Sequence, residues 1–511
     1  NHLLDSEKAF MHHITEVKEL AGLPEHLRLN ALENAKNKGL DGYVFYLNQP
    51  TYVAVITYAE SAKLRQLFYQ AYQKRAAENN DYDAAKFDNT PVIQSILEKR
   101  HELAKLIGLP NYASYSVSVK MAGEPSRVMG FLERLKAQTL DVAHQDYLLV
   151  KAYAIAKGHE GELAPWDVAY YVQKRQMELF NIDHEALRAY FPLPKVMEGV
   201  NALLMALYGL HLEKMTDADV WHPDVECYGL YQGNQQLAHL YCDWFSRQDK
   251  RGGAWMDTLQ TRCKLKDGRI QQAITTLTCN FAKPAPGKVA GLTHDELLTL
   301  LHELGHCLHH MLSEVDEFSV SGVHGVEWDA VELPSQWMEN WGWVEEWVRQ
   351  FSCHEQTGEP LPHAIFEQLL KMKNDLVGLY LSRQVLFASY DMQIHANLPP
   401  QDKSAVNAAY LDLLQSIASW PVYLEQRFPQ SFSHIFAGGY AAGYYSYLWA
   451  DVLSCDAYEW FAEDLQDIHR RGAHFRQTIL SKGGSVPALE AFVAFRGREP
   501  DESALLRSYG L

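Results

Sequence analysis

The sequence predicts a mainly α-helical protein that carries one small β-rich segment. Helical patterns, with apolar residues at spacings of three and four, run through most of the chain, for example over 61–77 and 92–106. Residues 225–281 differ, because β-branched and aromatic runs alternate there with Gly-Asn and Arg-Gly-Gly turns. At 511 residues the chain is also too long for one simple hydrophobic core, so we expect two lobes.

The first lobe is predicted to be all-helical and to span residues 1–165. Its amphipathic patterns continue to about residue 157, and Gly158, Gly161 and Pro165 then form a break that favours a loop. Helical patterns resume beyond the break and reach about residue 212. We therefore assign residues 166–511 to the second lobe.

The second lobe is predicted to combine a small, mostly antiparallel sheet, within 225–281, with many helices. A loop rich in Pro and Gly at 283–292 leads into a helix at about 294–314. Helices dominate from there to the C-terminus, with proline breaks at 360–362 and 399–400. The sheet is defined by three β-rich runs at 228–231, 237–245 and 273–281.

The charge balance argues against a broad surface for nucleic acid or for an anionic membrane. The chain has 46 Lys and Arg residues against 64 Asp and Glu residues, a net charge of −18. Binding phosphates over a wide area requires a basic stripe, and none is seen in the sequence. The uncharged stretch 428–450 is long enough to span a bilayer, but it contains Pro, His and three Gly, so we predict no membrane helix there.

Cysteine usage predicts a reducing, cytoplasmic environment. The seven cysteines are scattered and form no C-x-x-C pair, which argues against a disulfide framework and against a Cys-ligated zinc. The sequence starts at Asn1, without Met and without a charged-then-apolar leader, so we expect no signal peptide. We also expect that further residues precede Asn1 in the full-length protein.

A metal-binding pattern lies in the predicted 294–314 helix. His302-Glu303-Leu304-Gly305-His306 matches H-E-x-x-H, in which two histidines four residues apart project from one helical face and can share a zinc ion. The alternative is two unrelated histidines on a helix, because so short a motif also occurs by chance.

The predicted third ligand is Glu332. Zinc requires three protein ligands and an open position for water. His309 shares the helical face, but seven residues separate it from His302, about 10 Å along the axis, which is too far to share one ion. Glu332 lies in an acidic, Trp-rich segment beyond the helix. Asp329 and Glu339 of this segment are then placed to orient the imidazoles; for both, the alternative is a solvated helix face.

A second cluster of candidate residues lies at 434–447, where three glycines and four tyrosines follow His434. The glycines permit a mobile loop, and tyrosine hydroxyls can donate hydrogen bonds to a developing oxyanion. The alternative is that the tyrosines form the aromatic core of a helix beginning near Tyr444.

These patterns together resemble the thimet oligopeptidase family of zinc metallopeptidases. The resemblance rests on the motif at 302–306, on 331–336 and on 434–449, and it extends over essentially the whole chain. Leu304 departs from the pattern, since many relatives have Phe there, but the exchange is apolar and should leave the chemistry intact. Further matching segments lie at 220–225, 251–255, 276–281 and 495–500.

The resemblance implies a role for each residue of the site. The implied ligands of one zinc ion per chain are His302, His306 and Glu332, the implied general base is Glu303, and the implied substrate- and transition-state-binding residues are His434, Tyr440, Tyr444 and Tyr447. We add four candidates for substrate contact. They are Gly438 and Gly439 of the mobile loop, His324 in a Gly-bearing loop, and Arg498, which can hold a carboxylate or form a structural salt bridge.

The implied fold is zincin-like, with two helical lobes flanking a deep substrate channel, the zinc helix on its floor and the small sheet beside it. The strand at 276–281 would then bind a substrate by pairing with the peptide backbone. Relatives carry a further N-terminal helical segment that helps to build one lobe, and we expect that this chain lacks it. A narrow channel would admit only short, unfolded peptides.

The sequence therefore predicts a zinc-dependent endo-oligopeptidase in which both lobes form one monomeric, cytoplasmic peptidase unit. It would hydrolyse internal bonds of short peptides such as signal-peptide remnants and proteolysis fragments. The nearest alternative is a peptidyl-dipeptidase of the same family, and an alternative of another class is a non-catalytic peptide-binding protein. Mn²⁺ and Co²⁺ also fit the same ligands.

Overall fold

The computed structural model describes residues 1–182, 184–247, 250, 253–284, 288–397, 399, 402 and 404–511. Three predicted features include residues that lie outside this set. They are the Arg-Gly-Gly turn at 251–253, the loop at 283–292 and the proline break at 399–400.

Helices dominate the described part of the chain, and 55% of the protein is helical, which confirms the predicted mainly α fold. Local sequence explains several helix starts: Ser61 Oγ, for example, accepts a hydrogen bond from the Leu64 N–H at 3.2 Å. The α-helices are α1 His2–Ala9, α2 Glu25–Asn37, α3 Gln49–Tyr58, α4 Ala62–Gln73, α5 Thr90–Leu106, α6 Tyr112–Val117, α7 Pro125–Ala156, α8 Val168–Phe180, α9 His184–Leu187, α10 Leu193–Tyr208, α11 His294–Met311, α12 Leu333–Glu339, α13 Glu345–Phe351, α14 His363–Lys373, α15 Val377–Ala396, α16 Ala405–Ile417, α17 Phe428–Ser431, α18 Ser433–Phe436, α19 Ser446–Ala462, α20 Ile468–Thr478, α21 Ala488–Arg496 and α22 Ser503–Ser508.

The strands of the described residues form three sheets. The largest has five strands in the order β3-β4-β5-β9-β6, and two-stranded sheets are formed by β1 with β2 and by β7 with β8. The strands are β1 Met11–Ile14, β2 Tyr43–Tyr46, β3 Leu210–Met215, β4 Val225–Gln232, β5 Gln235–Phe245, β6 Trp255–Gln260, β7 Cys263–Lys264, β8 Ile270–Gln271 and β9 Ala273–Phe281.

The five-stranded sheet is mixed rather than purely antiparallel. Its pairs β3–β4, β4–β5 and β6–β9 are antiparallel, as predicted, but β5 and β9 run parallel. A parallel pair requires a crossover connection, and here the chain between β5 and β9 contains β6, β7 and β8. The strands β3 and β6 were not among the predicted runs.

The strand β9 lies in the interior of this sheet, so the predicted pairing with a substrate is wrong for residues 276–278. Tyr241 of β5 is the partner of Thr276 on one side, and Asp257 of β6 is its partner on the other. Both edges of β9 are therefore used within the sheet. The terminal strand on this side of the sheet is β6.

The chain divides into two compact units that interleave along the sequence. The first contains residues 1–181 and 375–445, and the second contains residues 182–374 and 446–511. The first unit includes a distant segment because α15 packs along α7, where the Asp146 carboxylate accepts the Gly378 N–H at 2.8 Å. A single boundary near residue 165 was predicted, and the two-lobe division at that position stays a prediction.

In the second unit, α11 is the helix around which the other elements are arranged. The strands β9 and β6 pack against it, and α12 packs against it as well. The core beside α12 is aromatic: Trp337 is fully buried and stacks on Phe475 with ring centroids 4.5 Å apart. This packing fixes the position of the segment just before α12 relative to α11.

None of the described helices is long and apolar enough to cross a membrane. The uncharged stretch 428–450 is divided among α17, α18 and the first residues of α19. All seven cysteines are free thiols.

Candidate metal centre and catalytic site

The helix α11 begins at a well-formed cap, which fixes the register of its histidines. The Thr293 hydroxyl accepts the Glu296 N–H at 3.1 Å, and the Glu296 carboxylate accepts the Thr293 N–H at 2.9 Å. This reciprocal pair is a capping box, which satisfies two backbone donors at the helix start. Arg188 adds an ion pair to Glu296. From this start the helix runs for 18 residues and carries His302 and His306.

The structure brings His302, His306 and Glu332 together. Their ligand atoms all lie within 4.8 Å of one another. Among the described residues, no other group of three or more His, Cys, Asp or Glu side chains could hold a metal ion in this way. The Glu332 Oε2 atom lies 3.3 Å from His302 Nε2 and 3.0 Å from His306 Nε2. A tetrahedral ion with bonds of about 2.0–2.1 Å separates neighbouring ligands by about 3.3 Å. The three residues therefore fit a divalent metal, and His309 lies outside the group, as predicted.

Gly305 is the residue that allows Glu332 to approach α11. A Cβ atom at this position would lie 2.4 Å from the Pro334 carbonyl oxygen and 2.6 Å from Ser335 Cα. Any other residue would thus collide with backbone rather than with a flexible side chain. The glycine inside the motif lets α12 and the residue before it pack directly on the helix that carries the histidines.

Two side chains hold His302 and Glu332 in place through hydrogen bonds, and one of them was not predicted. Glu339, as expected, approaches His302, with Oε1 2.7 Å from Nδ1. Ser335, which the sequence reasoning missed, is fully buried and donates to Glu332 Oε2 at 3.0 Å. Its Oγ also lies 2.9 Å from the Glu332 carbonyl oxygen. Such contacts orient metal ligands and tune their basicity.

Asp329 is fully buried, so the alternative of a solvated helix face is wrong for this residue. Glu339 is partly exposed, but its contact with His302 also distinguishes it from a merely solvated carboxylate. The predicted role of Asp329 in orienting an imidazole stays a prediction.

The electrostatics of the group favour a cation among its members. Burial lowers the pKa of His302, but Glu332 and Glu339 outweigh this and raise it well above its usual value. Burial raises the pKa of Glu332, but His306 and His302 hold it well below its usual range. The carboxylates thus stabilise positive charge at His302, which is the charge that a divalent metal supplies.

Glu303 projects from α11 into a buried environment beside the edge strand. Burial raises the pKa of its carboxyl group, and the neighbouring His302 and His306 oppose this shift. A hydrogen bond from the backbone of Met256, on β6, also reaches the carboxylate. A carboxylate with a raised pKa next to a metal site is suited to accept and return a proton.

The tyrosine-rich segment contains both buried and half-buried tyrosines. Tyr444 and Tyr445 are buried, and the Tyr444 ring packs against Phe432 at 5.1 Å, as the aromatic-core alternative requires. Tyr440 and Tyr447 are only half-buried. The helix begins at Ser446 rather than near Tyr444.

The predicted residues of this segment are divided between the two units. His434, Gly438, Gly439, Tyr440 and Tyr444 belong to the first unit. Tyr447 belongs to the second, as do the histidines and Glu332, and its carbonyl oxygen accepts a hydrogen bond from Gln336 of α12 at 3.3 Å. His434, Gly438 and Gly439 are exposed, and the His434 and Tyr440 ring centroids lie 6.5 Å apart.

Arg498 and His324 have partners that explain them structurally. The Arg498 guanidinium forms two hydrogen bonds with the buried Asp456 carboxylate, at 2.6 and 2.7 Å. This geometry favours the salt-bridge interpretation over capture of a substrate carboxylate. His324 Nε2 lies 2.9 Å from Thr261 Oγ1, and the ring stacks on Phe318 at 5.6 Å.

Comparison with known proteins shows similarity to peptidases. The model of peptidase family M3 matches residues 55–511. Oligopeptidase A from Salmonella typhimurium is 43% identical over 512 residues, which cover 100% of this chain and 75% of that protein. Dipeptidyl carboxypeptidase from Escherichia coli is 31% identical over 504 residues, covering 98% of this chain and 71% of that protein.

Solved structures extend the comparison at the level of the fold. PZ peptidase A in complex with an inhibitor has a TM-score of 0.59 at 14% identity, covering 100% of this chain and 74% of that one. A putative oligoendopeptidase F also has a TM-score of 0.59 at 14% identity, covering 100% and 73%.

Proposed function

The chain belongs to peptidase family M3, and from this premise we propose that it is a zinc-dependent endo-oligopeptidase acting on short, unfolded peptides. It is a metallopeptidase, and as an oligopeptidase it hydrolyses peptide bonds. The observation that carries the proposal is the convergence of His302, His306 and Glu332 around one position, next to the carboxylate of Glu303. Signal-peptide remnants and proteolysis fragments are the proposed substrates.

We assign zinc to His302, His306 and Glu332 because two imidazoles and one carboxylate are a ligand set of catalytic zinc sites. Held by these three residues, zinc would supply a bound water with a pKa of about 7 and a Lewis acid for the scissile carbonyl. Mn²⁺ and Co²⁺ fit the same donors, so zinc specificity is part of the proposal.

Glu303 has the proposed role of general base and then general acid. Its carboxylate accepts a proton from the attacking water as the oxygen of that water bonds to the scissile carbon. The same proton then passes to the nitrogen of the leaving amine as the C–N bond breaks. A raised pKa favours the first step, because a more basic carboxylate accepts the proton from water more readily.

Tyr440 and Tyr447 are the proposed donors to the developing oxyanion, with His434 and Tyr444 contributing to substrate binding. The support is the resemblance of residues 434–449 to the family pattern, together with the partial exposure of both tyrosines. A tyrosine hydroxyl keeps its proton at neutral pH and can therefore donate to a negatively charged oxygen.

The edge strand β6 replaces β9 as the proposed binding surface for the peptide backbone. It is the terminal strand of the five-stranded sheet and is bonded to β9 on its inner side. Met256 of β6 lies within hydrogen-bonding distance of Glu303, so this strand passes beside the proposed base. Pairing with an edge strand requires an extended backbone, which accounts for the proposed preference for unfolded peptides.

We further propose that the protein acts as a cytoplasmic monomer without nucleic-acid or membrane partners. Seven free thiols suit a reducing compartment. The net charge of −18 disfavours contact with phosphate-rich surfaces. Gel filtration with light scattering, followed by fractionation of cells, tests both parts of this proposal.

A metal-restored peptidase assay tests the central proposal. The protein is stripped with a chelator, reloaded with Zn²⁺, and mixed with an internally quenched peptide of about ten residues whose C-terminus is either free or amidated. Equal cleavage of both forms at internal bonds is expected. Release of C-terminal dipeptides from the free form only would instead support the peptidyl-dipeptidase alternative, for which the 31% identical dipeptidyl carboxypeptidase is a precedent.

The tyrosines are tested in the same assay. Tyr440→Phe and Tyr447→Phe should each lower kcat more than they raise KM, because the lost hydroxyl acts on the oxyanion. A rise in KM alone would assign these tyrosines to ground-state peptide binding.

A further inference from the structure

We propose that Asp391, on α15, is a positioning residue that holds the loop at 440–444, here called the anchored loop, in its active conformation. The proposal rests on the proposed function, because it gives Tyr440 of this loop a role in stabilising the transition state. Asp391 lies within the first unit and has no place in the metal centre.

The Asp391 carboxylate accepts three consecutive backbone N–H groups of the anchored loop. Its Oδ1 atom lies 2.9 Å from the Ala442 nitrogen, and its Oδ2 atom lies 2.8 Å from the Gly443 nitrogen and 2.9 Å from the Tyr444 nitrogen. Asp391 itself is fully buried. Three hydrogen bonds from consecutive residues to one buried side chain fix this turn of the backbone.

The backbone that Asp391 fixes is a strained one. Ala442 has a φ of +45°, in the left-handed region that residues with a Cβ seldom adopt. Such a conformation persists only when its surroundings impose it. The three hydrogen bonds to Asp391 supply this constraint from the N–H side.

A second anchor acts on the carbonyl side of the same residues. Ser116 Oγ donates to the Ala441 carbonyl oxygen at 2.8 Å and lies 3.2 Å from that of Ala442. Lys120 Nζ lies 2.5 Å from Ser116 Oγ. A lysine ammonium can only donate, so Ser116 accepts from Lys120 and directs its own proton to the loop.

A chain of polar groups behind Asp391 sets its orientation. Arg100 Nη1 lies 2.9 Å from His395 Nε2, and His395 Nδ1 lies 2.9 Å from Asp391 Oδ1. Because a guanidinium can only donate, His395 accepts at Nε2 and carries its proton on Nδ1, which donates to the Asp391 carbonyl oxygen at 2.8 Å. The same ring nitrogen therefore contacts the backbone of Asp391 and lies beside the carboxylate that holds the loop.

The anchor is connected to the proposed catalytic side chains through short backbone contacts. The Gly443 N–H, besides meeting Asp391, lies 3.0 Å from the Tyr440 carbonyl oxygen, and the Tyr440 N–H donates to the His434 carbonyl oxygen at 3.2 Å. One residue, Ala441, separates Tyr440 from Ala442, the first residue whose N–H Asp391 accepts. A displacement of the anchor thus moves the backbone of Tyr440 and, through it, that of His434.

The test compares Asp391→Asn with a matched control. An amide cannot accept at both positions, so at least one loop N–H loses its partner, and Tyr440 is displaced. We expect kcat to fall about 100-fold, since a 1 Å misplacement of a reacting group can cost that much, while KM changes less than threefold and zinc stoichiometry is unchanged. The control is Asp146→Asn: Asp146 also lies on a helix of the first unit and accepts the N–H groups of Gly378 and Leu379 at 2.8 and 3.3 Å, away from the loop.

The control should lower Tm while leaving kcat unchanged. Equal losses of Tm with unchanged kcat in both variants would overturn the proposal and leave Asp391 a merely structural residue. A milder variant, Ser116→Ala, guards against misfolding of Asp391→Asn and should lower kcat about threefold to tenfold, in keeping with the loss of a single anchor.

Rescue by glycine separates positioning from general stability. Glycine adopts the left-handed conformation without strain, so Ala442→Gly added to Asp391→Asn should restore at least tenfold in kcat. No recovery would contradict the strained-loop argument.

Faster hydrogen exchange at the amides of Gly443 and Tyr444 in Asp391→Asn is expected whether or not the protein cleaves peptides. If the wild type cleaved no peptide but Asp391→Asn still exchanged these two amides faster than the wild type, the proposed function would be refuted and the anchor would stand.

Discussion

Replacing Ser335 with alanine should weaken the binding of zinc without disturbing the fold. The hydroxyl donates to Glu332 Oε2 at 3.0 Å, and this is the same oxygen that faces His302 and His306. Without the hydroxyl, the carboxylate can rotate away from the position between the two imidazoles. The exchange adds no volume, and alanine is the stronger helix former, so α12 should persist.

The size of the effect follows from two independent arguments. Losing a group that orients a metal ligand typically costs about 10–100-fold in metal affinity, which corresponds to about 1.4–2.7 kcal/mol. Removing a buried hydrogen bond to a charged group costs about 1.5–3 kcal/mol. We therefore expect the zinc Kd to rise by one to two orders of magnitude for Ser335→Ala.

Competition with a chromophoric chelator at constant pH measures this Kd directly. The matched control is Ser382→Ala, because Ser382 is also a buried helical serine, at 1% exposure, and its hydroxyl has no hydrogen-bond partner within the described residues. The control should bind zinc as the wild type does. A Kd for Ser335→Ala within twofold of the wild-type value would show that the hydroxyl does not orient the ligand. If Glu332→Ala also bound zinc normally, the assignment of Glu332 itself would be wrong.

Three further outcomes are expected. Glu303→Gln should retain zinc but lose about 10²–10⁴-fold in kcat, since the amide cannot accept the proton; wild-type turnover with metal bound would reject this role. Gly305→Ala should destabilise the protein by about 1–3 kcal/mol and weaken zinc binding, because its Cβ would lie 2.4 Å from the Pro334 oxygen; calorimetry and chelator competition measure the two effects. At Asp243, burial raises the pKa, but hydrogen bonds from Arg247 and Lys250 outweigh burial and lower it to about 2. Its contribution to stability is therefore present above about pH 4 and lost as the pH falls towards 2, so the Tm difference between wild type and Asp243→Asn should narrow over that range, and a constant difference would contradict the shift.

The metal centre could be predicted from the sequence because most of its geometry is local. The spacing of His302 and His306 on one helix fixes their relation, and Glu332 and Glu339 were found because they lie in one acidic, Trp-rich segment beyond that helix. Ser335 was missed because a serine three residues after an acid has many ordinary uses. Only the folded structure, in which α12 packs on Gly305, shows that the Ser335 hydroxyl meets the Glu332 carboxylate.

Features that depend on distant pairing could not be predicted in the same way. Both β5 and β9 were recognised as β-rich runs, but their parallel pairing and the placement of β6 outside β9 depend on a crossover that has no local pattern. Asp391 resembles any helical aspartate in the sequence. Its partners lie 51 to 53 positions away, in a loop whose conformation the glycines permit but do not specify.

The interleaved units have a consequence for the order in which the protein folds during synthesis. The Asp146 carboxylate and the Gly378 N–H that it accepts are 232 positions apart. At about 5–20 residues per second, the ribosome needs roughly 10–50 s after making α7 before α15 is available to cover it.

During this interval the apolar side of α7 that α15 later covers has no native partner, while most of the second unit is being translated. The second unit is also incomplete at that stage, since α19, which packs on α12, follows residue 445. The first unit cannot close before residues 375–445 emerge, and the second cannot close before residues 446–511 emerge. A nascent chain truncated before residue 375 should therefore bind chaperones and be digested rapidly by added protease.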